Sequence, residues 1–120
     1  MSRAADGLAS GDLDRDIVLI TATARTQTDS GEDQWDFAHA TEETIPAIWF
    51  PAGTREAYFA QQRVASQVDG VFRIYDRNPR PKPDACRVRF DGRLFDLKPW
   101  IEIGRGRGLD LPAVARGEGE

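Results

Sequence analysis

A chain of 120 residues, 40% hydrophobic and 30% charged, fits one modest domain that needs no metal or disulfide staple. A formal net charge of -4 argues against a general polyanion binder, and the single cysteine, Cys86, excludes an internal disulfide. No apolar run approaches about 18 residues and no basic-then-apolar leader opens the chain, so the expectation is a protein made in a reducing cytoplasm, neither secreted nor membrane-spanning.

Residues 1–13 are small, polar and glycine-rich, and are expected to form a flexible N-terminal arm. From Asp16 to Arg25 the chain is β-branched and apolar on both faces, which predicts a strand covered on both sides. Residues 28–34, TDSGEDQ, read as an acidic turn-forming loop. Trp35 and Phe37 then alternate with polar residues as a short aromatic strand or arm. Residues 44–51 predict another strand, but Pro46 and Pro51 each remove a ladder donor and bar it from being central throughout. Thr54 should cap a short helix from Arg55 to about Gln62, with Glu56 suiting the helix dipole. Ala57, Ala60 and Val64 mark one face of it, with Tyr58 and Phe59 beside them. A strand from about Gly70 places Phe72 and Ile74 on one face and Val71, Arg73 and Tyr75 on the other.

Residues 76–84, DRNPRPKPD, hold prolines at alternate positions and predict a stiff extended loop carrying Arg77, Arg80 and Lys82. The strongest local signal follows. Asp91-Gly92, between two runs of alternating polarity, predicts a two-residue type I′ hairpin. That turn pairs Phe90 with Arg93, Arg89 with Leu94, Val88 with Phe95, Arg87 with Asp96 and Cys86 with Leu97. One side then carries Cys86, Val88, Phe90, Phe95 and Leu97, and the other carries Arg87, Arg89, Asp96 and Lys98. Pro99 breaks the return strand, which Trp100, Ile101 and Ile103 continue. Gly104-Arg105-Gly106-Arg107-Gly108 reads as a turn, Leu109 and Leu111 as a last short strand, and the residues from Pro112 as a polar tail. The sum is a mainly β fold: a small antiparallel β-barrel or sandwich of five to six strands with one short helix and long loops. Residues 14–112 form the domain, between the arm (1–13) and a flexible tail (113–120).

Few residues offer chemistry. His39 has no second histidine or cysteine pair at metal spacing and reads as a surface or loop residue. Cys86 lies on the hairpin's apolar side and reads as a buried small hydrophobe. The carboxylate pairs Glu42-Glu43 and Glu32-Asp33 lie in polar stretches where solvation explains them. The expectation is a non-enzyme with no catalytic residues, no metal and no cofactor. Trp49, Phe50, Arg55, Tyr58 and Phe59 are candidate interface residues, because the aromatics are too many for a small core and aromatic anchors dominate protein interfaces. Arg77, Arg80 and Lys82 are candidates for meeting DNA or a partner, and Asp91 and Gly92 are the structural turn.

In order, an opening apolar strand, Trp35, Ala47-Ile48-Trp49, Gly53-Thr54-Arg55-Glu56 leading into Ala60-Gln61-Gln62, Arg73-Ile74-Tyr75, and Asp91-Gly92-Arg93-Leu94-Phe95-Asp96 resemble the head–tail joining (head–tail adaptor, head-completion, stopper-type) family of tailed bacteriophages and phage-like gene transfer agents. The family's usual basic opening is replaced here by Asp12-Leu13-Asp14-Arg15-Asp16. The resemblance implies a connector subunit at the head–tail junction of a virion or phage-like particle, assembled in the bacterial cytoplasm as a homo-oligomeric ring. Its implied partners are a portal or adaptor protein and a tail terminator or tail tube protein, with double-stranded DNA passing through the ring and no membrane involved. The alternative is a monomeric OB-like nucleic-acid-binding module using Arg87, Arg89 and Arg105 with exposed aromatics.

Overall fold

The computed structural model describes residues 13–27, 31 and 33–117, so the expected N-terminal arm lies outside it except for Leu13, which is buried. Most of the expected acidic loop, residues 28–30 and 32, and the end of the expected tail also lie outside the described residues.

At the expected hairpin, Asp91 and Gly92 take φ of 54° and 77°, the pair of positive angles that a type I′ turn needs. The turn joins β6 (Cys86–Phe90) to β7 (Arg93–Leu97), with Phe90 opposite Arg93, Arg89 opposite Leu94, Val88 opposite Phe95 and Arg87 opposite Asp96, as expected. The other elements are β1 (Arg15–Thr21), β2 (Ala24–Gln27), β3 (Asp33–Asp36), β4 (Thr41–Pro51), α1 (Arg55–Val64), β5 (Gly70–Tyr75), β8 (Ile101–Ile103) and β9 (Gly108–Ala115). Six strands, in the order β5-β4-β1-β6-β7-β9, close into an antiparallel barrel through the β5–β9 pairing, and β8 adds to β9 as an extra strand. A barrel is therefore formed, not a sandwich.

Two neighbours change partway along a strand, and prolines sit at or near both changes. β4 pairs with β1 over Thr41–Ala47 and with β5 over Ile48–Pro51, so no residue of it has ladder partners on both edges. That is how it accommodates Pro46 and Pro51. On one edge β9 pairs with β8 over Gly108–Asp110 and then with β7 over Ala113–Ala115. Pro112 falls in the gap, opposite the break that Pro99 makes, and Lys98 N donates to its carbonyl at 2.8 Å. The last strand thus extends through Pro112 to Ala115, where a tail was expected. An apolar stretch paired on both sides outlasts a proline that stands where one edge has no strand partner.

Inward positions alternate along each strand. Ile17, Leu19, Ile45, Ala47, Phe72, Ile74, Cys86, Val88, Phe95, Leu97, Leu109, Leu111 and Ala113 form one buried core, as the hairpin pattern required for its own members. Each large side chain here contributes about 1.5–3 kcal/mol by leaving water. Trp49, Phe72, Phe90 and Phe95 make a ring cluster, with centroids 4.5 to 5.6 Å apart.

The helix lies on the outside. Thr54 adopts extended backbone (φ -80°, ψ 160°), and its Oγ1 accepts from Ala57 N at 3.2 Å, as an N-cap should. Ala65, in the left-handed region at φ 53°, ends the helix. Ala57 and Ala60 bury against Val71, with Phe50 and Ile101 packed alongside.

One part of the chain departs from expectation. The strand foreseen from Asp16 to Arg25 ends at Thr21, where Ala22 N donates to Ala85 O at 2.8 Å and the chain leaves the barrel. It continues as β2, which pairs with β3 to make a separate two-stranded ribbon.

Candidate assembly surface

α1 turns its alanines inward, and this dictates what it shows outside. With Ala57 and Ala60 facing the barrel, Tyr58 and Phe59 stand 59% and 52% exposed, their rings in edge contact at 5.8 Å. The Arg55 guanidinium lies 5.5 Å from the Phe59 centroid. The helix thus presents an aromatic pair with a cation against it. Trp49 and Phe50, expected to share that surface, do not join it. Trp49 turns into the barrel core, and Phe50 lies beneath the helix with the Arg73 guanidinium 4.9 Å from its ring. Alternation along a strand sends neighbours to opposite faces, and here both faces are covered, one by the barrel and one by α1.

The second exposed feature is the ribbon. All four residues of β2 are exposed, and among the described residues neither β2 nor β3 pairs with any other strand. Its base is held by two cation–ring contacts, Arg25 over Trp35 at 4.5 Å and Arg87 over Phe37 at 3.8 Å. His39 lies in the exposed turn that follows.

The basic loop after β5 is tied down rather than presented. Arg80 makes a two-pronged contact with Asp76, at 3.0 and 3.1 Å, reaches Glu102 at 3.4 Å and lies 4.6 Å from the Trp100 ring. Arg77 pairs with Glu43 at 2.5 Å. Lys82 is exposed. The hydrogen bond from Arg80 holds the Asp76 carboxyl below its usual range. Two of the arginines expected to meet phosphate thus already have carboxylate partners.

The barrel wall repeats this pattern. Arg89 grips Glu42 through two bonds, of 3.2 and 2.8 Å, and that hydrogen bonding lowers the Glu42 pKa. Arg87 lies 3.5 Å from Asp96, the expected cross-strand pair, while Arg116 also donates to Asp96 at 2.7 and 3.0 Å. Arg73 and Asp110, a pair not foreseen, meet through two bonds of 2.7 and 3.0 Å, with Asp110 only 6% exposed. The OB-like alternative relied on Arg87, Arg89 and Arg105, and the first two lie in ion pairs. Arg105 sits in the Gly/Arg turn between β8 and β9 at φ 53°.

Among the described residues, no group of three or more His, Cys, Asp and Glu side chains is arranged to hold a metal ion, and no helix is long and apolar enough to cross a membrane. Cys86 is buried, with its Sγ 3.6 Å from Thr21 Oγ1. Comparison with protein-family models and with curated proteins gave no match.

Proposed function

We propose that this chain is a non-catalytic, ring-forming connector subunit of the stopper or head-completion type. It would act at the head–tail junction of a tailed phage or phage-like particle, around a DNA channel. The observation that carries the reading is the exposed ribbon of β2 and β3. A two-stranded ribbon alone in water is marginally stable. Open edges are commonly paired or covered in native assemblies. A neighbouring subunit that adds a strand to the ribbon supplies both, and a ring repeats that contact around its axis. The Tyr58–Phe59 pair on α1 provides a second, aromatic contact for the next ring in the stack. The extensive pairing of arginines with carboxylates also supports a wall past which DNA slides, in place of a surface that grips it.

The test is the mass and shape of the full chain, alone and mixed with portal and tail proteins of its source particle, by native mass spectrometry and negative-stain microscopy. Rings that form and stack on those partners are expected, with the stacking lost in the Tyr58→Ser/Phe59→Ser variant and melting unchanged within about 0.5 kcal/mol because both side chains are exposed. A chain that stays monomeric with every partner, yet binds DNA tightly with a steep salt dependence, would overturn the reading in favour of the OB-like module.

A further inference from the structure

Between the end of β1, the proline-rich loop and the ribbon lies a cavity of about 230 Å³ that the assembly reading does not use. Its wall is mostly apolar. Leu19, Ala22, Pro81, Ala85 and Cys86 are buried around it, and the half-buried indole of Trp35 closes one side. An apolar cavity of about 150 Å³ is enough to hold benzene, so this one has room for a single ring with a substituent. The charged side chains in its lining are Arg77, Arg80 and Lys82. Arg77 and Arg80 are fixed by Glu43 and Asp76, which leaves the exposed Lys82 ammonium able to turn toward a ligand. The alternating prolines stiffen this part of the wall, so little ordering is required on binding.

We propose that this cavity binds a small aromatic carboxylate, with its ring against Trp35 and Pro81 and its carboxylate on the Lys82 side of the mouth. The apolar wall supplies affinity and the Lys82 ammonium supplies selectivity.

The test uses the full chain and two probes of equal shape, benzoate and neutral benzamide, followed by calorimetry and ligand-observed NMR. Benzoate is expected to bind at least about tenfold more tightly than benzamide, and Lys82→Met to reduce that preference to about threefold or less. Ala22→Leu fills the cavity and should abolish binding of both. Absence of benzoate binding at tens of millimolar, or equal affinity for the two probes, would each overturn the proposal. So would undiminished benzoate binding by a folded Ala22→Leu protein.

Discussion

Replacing Gly70 by alanine tests whether Trp49 belongs to the barrel interior and not to an interface. A Cβ at this position would stand 2.2 Å from Cη2 and 2.7 Å from Cζ2 of Trp49, and 2.7 Å from the carbonyl oxygen of Phe50. Neither neighbour has an easy retreat. The indole is wedged among Phe72, Phe90 and Phe95, and the carbonyl belongs to the β4 strand where it pairs with β5. Overpacking of this kind costs about 1–3 kcal/mol, and two fixed neighbours place it at the upper end. With an unfolding entropy of about 2.1 cal/mol/K per residue, a loss of about 3 kcal/mol lowers Tm by about 12 °C for a chain of this length. Calorimetry gives that shift directly. Trp49→Phe removes the two offending indole atoms, so in that background Gly70→Ala should cost at least about 1 kcal/mol less. Strictly additive losses, or a Gly70→Ala protein that melts with the parent, would refute the inward placement of Trp49.

Asp91-Gly92→Ala-Ala forces two alanines into positive φ and should cost on the order of 2 kcal/mol, a Tm fall of about 8 °C; unchanged melting would refute the hairpin turn. Asp110→Asn leaves the partly buried Arg73 without its counter-charge and should cost about 2–3 kcal/mol in urea unfolding at constant m. The combined Arg73→Met/Asp110→Leu protein should recover most of that loss. Glu42 and Asp76 have pKa values below the usual 4.5 and 3.8 in the folded protein, so on acidification the unfolded chain takes up these protons first. Their stabilisation is fully present above those values and is lost as pH falls through the lower folded ones. Glu42→Gln and Asp76→Asn should therefore flatten the acid limb of the stability curve below about pH 4.5 and leave its slope unchanged between about pH 5 and 8. Chemical unfolding at stepped pH measures this.

What could be read from the residues was what local chemistry determines. Asp91-Gly92 fixes a turn and thereby a register, Thr54 fixes a helix start, and paired prolines forbid a strand two complete sets of neighbours. Each of those readings holds in the structure. The breakpoint at Ala22–Thr23 left no such mark, because Ile20-Thr21-Ala22-Thr23-Ala24 is as compatible with one strand as with two, and only the tertiary bond to Ala85 decides. The short strand expected at Trp35 is β3, but its pairing with β2 in a separate ribbon was missed for the same reason. Trp49 misled because an aromatic beside a helix looks alike whether it faces outward or inward; Gly70, across the ladder, is what gives its ring space. The Arg73–Asp110 pair did leave a signal. Each is a lone charge inside an apolar strand, Val71-Phe72-Arg73-Ile74 and Leu109-Asp110-Leu111, and two such charges of opposite sign on neighbouring strands call for each other. Arg77 and Arg80 show the reverse difficulty, since a basic loop displays its charge in the sequence and hides its partners.

Closure through β9 carries a consequence for how the molecule is made. The segment that completes the ring of strands, and alone bridges β5, β7 and β8, emerges from the ribosome after every other strand of the barrel. Until Gly108–Ala115 emerges, every earlier strand can be in place while Phe72, Ile74 and Leu97 lack the cover that makes them a core. Each nascent molecule therefore passes through a sticky, half-wrapped stage before β9 is free to pair, and a premature stop anywhere before Gly108 yields material for chaperones and proteases instead of a shortened barrel.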